Sequence, residues 1–229
     1  MLLLPHVTTS PKYGFHSSTA ENDLLYIISG KDESIIKKVH SSDNTTISDV
    51  ARIKDWEPIS IYSSKLNGDI FVGVKKDERA KIIRFSQDGR LLQEIERDRN
   101  KDPIFQEPRY ITGDSNGNIW VTDWNTKRMA YGKIIILDEN GEYCSSYPQQ
   151  KNERFYPAGI SCVEEGPAIV LEGETGKVMV LEKSFQMRQL DIHAFKETPG
   201  LNACGLCVGN TCLYVSAGGP YIAVYHLSK

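Results

Sequence analysis

The sequence predicts an all-β propeller, and three observations predict it. Strand starts recur at a propeller-like interval, each start is followed by the same order of short apolar strands, and tight-turn residues stand between them. Pro11, Pro58, Pro108, Pro157 and Ala203 open PKYGF, PISIY, PRYIT, PAGIS and ACGLC at intervals of 47, 50, 49 and 46 residues. Propeller repeats run to about 40 to 50 residues. No stretch longer than about ten residues carries helical periodicity.

Each strand of the repeat has its own signature. The second strand is apolar after a polar turn, as Asn67-Gly-Asp-Ile-Phe-Val and Asn116-Gly-Asn-Ile-Trp-Val, with counterparts at Glu21, Glu165 and Gly209. The third reads Ile35-Ile-Lys-Lys-Val, Lys81-Ile-Ile-Arg-Phe, Lys133-Ile-Ile-Ile-Leu, Lys177-Val-Met-Val-Leu and Tyr221-Ile-Ala-Val-Tyr. Runs apolar on both faces suit strands packed between neighbouring sheets. Asp88-Gly89 and Asn140-Gly141 then supply the positive φ that a two-residue hairpin demands, leading into a fourth strand. The unit is a four-stranded antiparallel meander.

One propeller domain over 1–229 is expected, with blades at approximately 11–57, 58–107, 108–156, 157–202, and 203–229 plus 1–10. The fifth unit reaches Lys229 after its third strand, leaving an edge. Leu2 to Thr9 stands where a fourth strand would, and is expected to close that last blade.

Composition limits function. Net charge is −3 and the pI is near 6.0. No global positive field draws the chain to DNA or an anionic membrane. Five cysteines, an odd number, fit a reduced cytoplasmic protein. The apolar start Met1-Leu-Leu-Leu4 meets Pro5 and His6 at once, too short for a signal sequence.

The third unit carries a family resemblance. Pro108-Arg-Tyr-Ile, Asn116-Gly-Asn-Ile-Trp-Val-Thr-Asp123-Trp-Asn-Thr-Lys-Arg128 and Lys133-Ile-Ile-Ile-Leu-Asp-Glu-Asn-Gly141 resemble an NHL repeat. Asp123 and Arg128 keep the family spacing, while the asparagine sits one place early at Asn125. The whole chain resembles the C-terminal propeller of invertebrate tripartite-motif (TRIM) proteins. Such propellers usually have six blades and five units are visible here. The resemblance implies a substrate- or adaptor-recognition module of a ubiquitin-ligase system. The RING, B-box and coiled coil that would carry ligase chemistry have no counterpart in these residues, so no catalysis is expected.

Other motifs have simpler readings. Cys204-Gly-Leu-Cys207 places its thiols three apart in a strand, on opposite faces, so packing cysteines are expected there and at Cys212. Gly173-Glu-Thr-Gly176-Lys177 is too short for a phosphate loop and reads as a turn. Asp138-Glu-Asn-Gly141-Glu lacks the last ligand of a calcium loop and reads as a hairpin. Asn44-Thr-Thr46 is a sequon that matters only in a secreted protein. Asp123 and Arg128 flank a hairpin and are expected to fix it.

Lactonase-like and lyase-like propellers place carboxylates, asparagines or histidines on the innermost strands around a metal. The five innermost strands here contain no carboxylate, and His16 falls just beyond the first. No metal and no cofactor are expected. Loops leading into innermost strands carry Lys54, Arg109, Lys151 and Arg154, with Tyr110 and Tyr156 as stacking groups for RNA. Asp55, Glu57, Glu107 and Glu153 interleave with them. A mixed-sign surface suits a protein better than phosphate, so a protein partner is expected and RNA is the alternative. Trp120 is expected in the core. Trp56, Arg109, Tyr110, Trp124 and Tyr156 are the expected partner-binding set.

Overall fold

The computed structural model describes residues 16–30, 32–43, 45–125, 131–148, 153–163, 167–182, 186–193, 203–209, 212–217 and 222–226. They form nineteen strands, and there is no helix among the described residues. The chain divides into two compact units, Met1–Ile111 and Thr112–Lys229.

The first unit holds two four-stranded sheets, each in simple sequential order. One contains β1 (His16–Ser18), β2 (Leu24–Ile28), β3 (Glu33–Val39) and β4 (Ile47–Lys54). The other contains β5 (Glu57–Ser63), β6 (Ile70–Lys76), β7 (Arg79–Phe85) and β8 (Leu91–Ile95). Leu25, Ile27, Ile36 and Ile53 of the first sheet pack against Ile61, Ile70, Val72, Val74 and Phe85 of the second. Each such side chain taken from water contributes about 1.5–3 kcal/mol. The middle strands are therefore apolar on both faces, and β8 keeps Leu91 and Leu92 exposed.

The unit boundary falls inside β9 (Pro108–Gly113). That strand edges a sheet with β10 (Ile119–Asp123), β11 (Lys133–Leu137) and β12 (Tyr143–Tyr147). The second unit continues with β13 (Pro157–Cys162), β14 (Ala168–Glu172), β15 (Lys177–Leu181) and β16 (Met187–His193). Last come β17 (Ala203–Val208), β18 (Cys212–Ala217) and β19 (Ile222–His226), three strands among the described residues. Leu213 and Val215 of β18 close a core with Ala158, Ile169, Leu171 and Val178. Leu2 to Thr9, the expected closing strand, lies outside the described residues.

Two details of the repeat differ from the sequence reading. The Asp-Gly and Asn-Gly turns are three-residue loops. Ser86 N–H donates to Arg90 O (2.9 Å) and Gly89 N–H to Ser86 O (2.9 Å), and Asp138, Gly141 and Glu142 repeat the pattern. Only the glycines take positive φ, 86° at Gly89 and 83° at Gly141. The residue opening the loop also caps it, since Arg90 N–H donates to Ser86 Oγ (3.0 Å) and Glu142 N–H to Asp138 Oδ1 (2.8 Å). A turn plus one left-handed residue needs one glycine, where a type I′ two-residue loop would need two residues at positive φ.

The expected strand start at Pro11 lies outside the described residues. β1 spans His16–Ser18, so this histidine lies in a strand and not beyond it. Its register is shown by a hydroxyl that recurs from sheet to sheet. Ser17 Oγ accepts from Ser63 N–H (3.1 Å), Thr112 Oγ1 from Cys162 N–H (3.4 Å) and Ser161 Oγ from Val208 N–H (3.3 Å). The separations are 46, 50 and 47 residues. This contact ties β1 to the next sheet at the blade interval.

Candidate functional site

Where the chain enters the first strand of a sheet, proline, aromatic and charged residues gather. Pro58, Pro157 and Ala203 each stand at a β-bulge, with a register shift at Pro58/Ser60, Pro157/Gly159 and Ala203/Gly205. The bulge turns the strand locally. Ser60 Oγ donates to Pro108 O (2.6 Å) in the first unit, and Trp124 Nε1 donates to Pro157 O (2.8 Å) in the second.

In the first unit Trp56 lies between β4 and β5, after Asp55 at φ 62°. It is half-buried against the apolar core. Lys81 Nζ sits 4.3 Å from its ring centre and the Arg79 guanidinium 5.4 Å away. Each cation is also held by a carboxylate, Lys81 by Glu94 (2.6 Å) and Arg79 by Glu96 (2.9 Å). A cation over an indole is worth about 0.5–2 kcal/mol, so the two cations help to hold Trp56 in place. Arg109 and Tyr110 lie inside β9 and not in the loop before it, both half-buried. Arg109 pairs with Glu107, which also accepts from Lys75 Nζ (3.2 Å). Lys54 ends β4 and stands 3.8 Å from Glu33.

In the second unit the geometry brings two of the expected residues together. The Trp124 and Tyr156 rings lie 4.6 Å apart at 47°, both half-buried. The turn after β14 also holds Tyr156. Glu172 Oε1 accepts from Tyr156 N–H (3.2 Å), while Oε2 accepts from Thr175 N–H (2.7 Å) and Thr175 Oγ1 (2.6 Å). A Cβ on Gly173 would stand 2.6 Å from the Tyr156 ring, so only glycine lets the ring lie there. Gly173 to Lys177 is thus a tight turn that serves the aromatic pair, in agreement with the sequence reading. Arg154 and Glu174, both well exposed, form an ion pair beside the rings. Nearby, burial and then the Glu153 charge push the Tyr147 hydroxyl above its ordinary value.

The remaining residues fall as follows. Trp120 is in the core at 3 % exposure and its Nε1 donates to Asp114 Oδ2 (3.3 Å). Asp123 is buried at the end of β10, opposite Lys133. Arg128, its expected partner, lies outside the described residues, as do Asn44 and Lys151. Cys212 is buried as expected, but Cys207 is exposed. It lies opposite Tyr214 on the face of β17 to β19 where Tyr214 is itself 42 % exposed. Among the described residues no three His, Cys, Asp or Glu side chains form a metal-holding group. Sequence reasoning missed Ser60, Glu172 and the hydroxyls of Ser17, Thr112 and Ser161. The available signals were glycine inside a strand and Ser or Thr near the end of the first strands.

Sequential four-stranded antiparallel sheets, joined by contacts that repeat at the blade interval, define an all-β propeller. Solved structures agree on the fold. A streptogramin B lyase is 18 % identical, with a TM-score of 0.65 over 98 % of this chain and 72 % of its own. A nidogen/laminin complex matches at 15 % identity and TM-score 0.64, over 93 % and 75 % of the two chains. Virginiamycin B lyase from Staphylococcus aureus with quinupristin matches at 15 % and 0.63, over 96 % and 72 %. No protein-family model matches the sequence, and no curated protein does.

Proposed function

We propose that this propeller is an NHL-type binding module that holds a protein partner at the entrances to its first strands, without catalytic residues of its own. In this reading it selects a substrate or adaptor for a TRIM-like ubiquitin-ligase system in the cytoplasm. The observation that carries the reading is the half-buried Trp124–Tyr156 pair beside the exposed Arg154–Glu174 ion pair. A rigid aromatic anchor rimmed by both signs of charge is the chemistry of a protein interface. The described basic candidates for RNA support the same choice. Lys54, Arg109 and Arg154 each face a carboxylate, Glu33, Glu107 and Glu174 in turn. A phosphate would have to compete with those carboxylates, and its gain from counterion release would shrink accordingly.

The test uses the exposed ion pair, whose replacement leaves the core untouched. Immobilised wild-type protein should retain a defined set of proteins from a cell extract, and Arg154→Glu should lose them with an unchanged melting curve. Retention of the same proteins by Arg154→Glu together with Trp124→Ala would refute this placement. Retention of single-stranded RNA with steep salt dependence would establish the RNA alternative instead.

A further inference from the structure

We propose that Cys212 is a nucleophilic thiol, served by His226 as its base, at which the protein takes covalent modification by small oxidants and electrophiles. The two residues stand directly opposite each other on β18 and β19. Directly opposed residues of an antiparallel pair share a sheet face. Cys212 Sγ lies 3.5 Å from His226 Nδ1, within reach of a sulfur hydrogen bond. That is the nucleophile-and-base arrangement that activates a weak nucleophile at neutral pH. In the tautomer that leaves Nδ1 without a proton, the thiol donates and Nδ1 accepts.

The surroundings suit that chemistry. His226 is exposed, so the imidazole exchanges its proton with water. Cys212 is only 9 % exposed, which admits a small uncharged reagent and turns away a bulky one. Tyr214, two residues on along β18, shares the face, and so does Cys207, its partner across β17. The charge of Cys212 first, then its hydrogen bond, burial and the charge of Cys207 push the Tyr214 hydroxyl above its ordinary value.

With a peroxide as oxidant the step balances. Cys212 sulfur, its proton passed to His226 Nδ1, attacks one peroxide oxygen. The S–O bond forms, the O–O bond breaks, and the leaving hydroxide takes the proton from the imidazolium as water. Cys212 is oxidised by two electrons to the sulfenic acid, and the peroxide is reduced by two.

Site-resolved alkylation tests this. The intact protein is treated with iodoacetamide at neutral pH, and the rate at each cysteine is read by peptide mass spectrometry. A parallel sample exposed to hydrogen peroxide is trapped with dimedone. Cys212 is expected to react faster than Cys144, an exposed thiol of β12, in spite of its burial. His226→Gln should slow Cys212 by at least about tenfold and leave Cys144 unchanged. Dimedone should label Cys212 ahead of Cys144. If Cys212 reacts no faster than Cys144 in the wild type, the proposal fails whatever His226→Gln does to folding. An unchanged Cys212 rate in a folded His226→Gln variant overturns the assignment of the base.

Discussion

Replacing Gly73 by alanine probes how neighbouring sheets meet in the first unit. Gly73 is central in β6, pairs with Ser60, and has no positive φ, so the backbone itself accepts a side chain. The obstacle is what lies above it. A Cβ would stand 2.3 Å from Ser60 Oγ and 2.7 Å from Pro108 O, the two ends of the 2.6 Å hydrogen bond between β5 and β9. Overpacking at such a point costs about 1–3 kcal/mol. Displacing Ser60 leaves a buried carbonyl without its donor, for about 1–3 kcal/mol more. The lower entropy of the unfolded alanine chain offsets about 0.4–1 kcal/mol. The balance is a destabilisation of about 2–4 kcal/mol. Urea unfolding followed by tryptophan fluorescence measures it. The Ser60→Ala/Gly73→Ala pair should be less destabilised than the sum of the single changes, because removing Oγ clears the closer clash. A Gly73→Ala change within about 0.5 kcal/mol of wild type, or strict additivity, would refute the packing argument.

Two further expectations follow from side-chain networks. Asp114 is buried and accepts from Asn116 N–H, Asn118 N–H, Asn118 Nδ2 and Trp120 Nε1, so Asp114→Ala should cost about 2–4 kcal/mol, measured by urea midpoint. Asp114→Asn, which keeps an acceptor, should fall between. Asp43 is exposed, and the Thr46 hydroxyl, then the Thr46 and Thr45 N–H groups, hold its carboxyl down to about 2 from 3.8. A depressed folded value means that the unfolded chain binds the proton first. The contribution of Asp43 is therefore complete above 3.8 and is lost as pH falls towards 2. Asp43→Asn should flatten the loss of stability over that window and leave the slope at higher pH unchanged; a slope identical to wild type would contradict the assignment.

The fold was legible because propeller strands advertise themselves. Ile119-Trp120-Val121 and Ile169-Val170-Leu171 are apolar at every position, and each is buried on both faces. Turn residues were legible as turns but not as loop types, since Asp88-Gly89 fits a two-residue and a three-residue loop alike until the hydrogen bonds are seen. The contact that ties β1 to the next sheet was not legible, because Ser17 and Ser63 are 46 residues apart. The aromatic pair was named residue by residue, yet its support was not legible. Glu172 and Gly173 belong to the turn after β14, and nothing local ties that turn to Tyr156 or to Trp124.

Cross-linking mass spectrometry on the protein captured from extract tests whether the entrances to the first strands hold a protein. Cross-links are expected at residues 153–156, lost on Arg154→Glu and insensitive to ribonuclease. Cross-links elsewhere that survive Arg154→Glu, or capture abolished by ribonuclease, would contradict it.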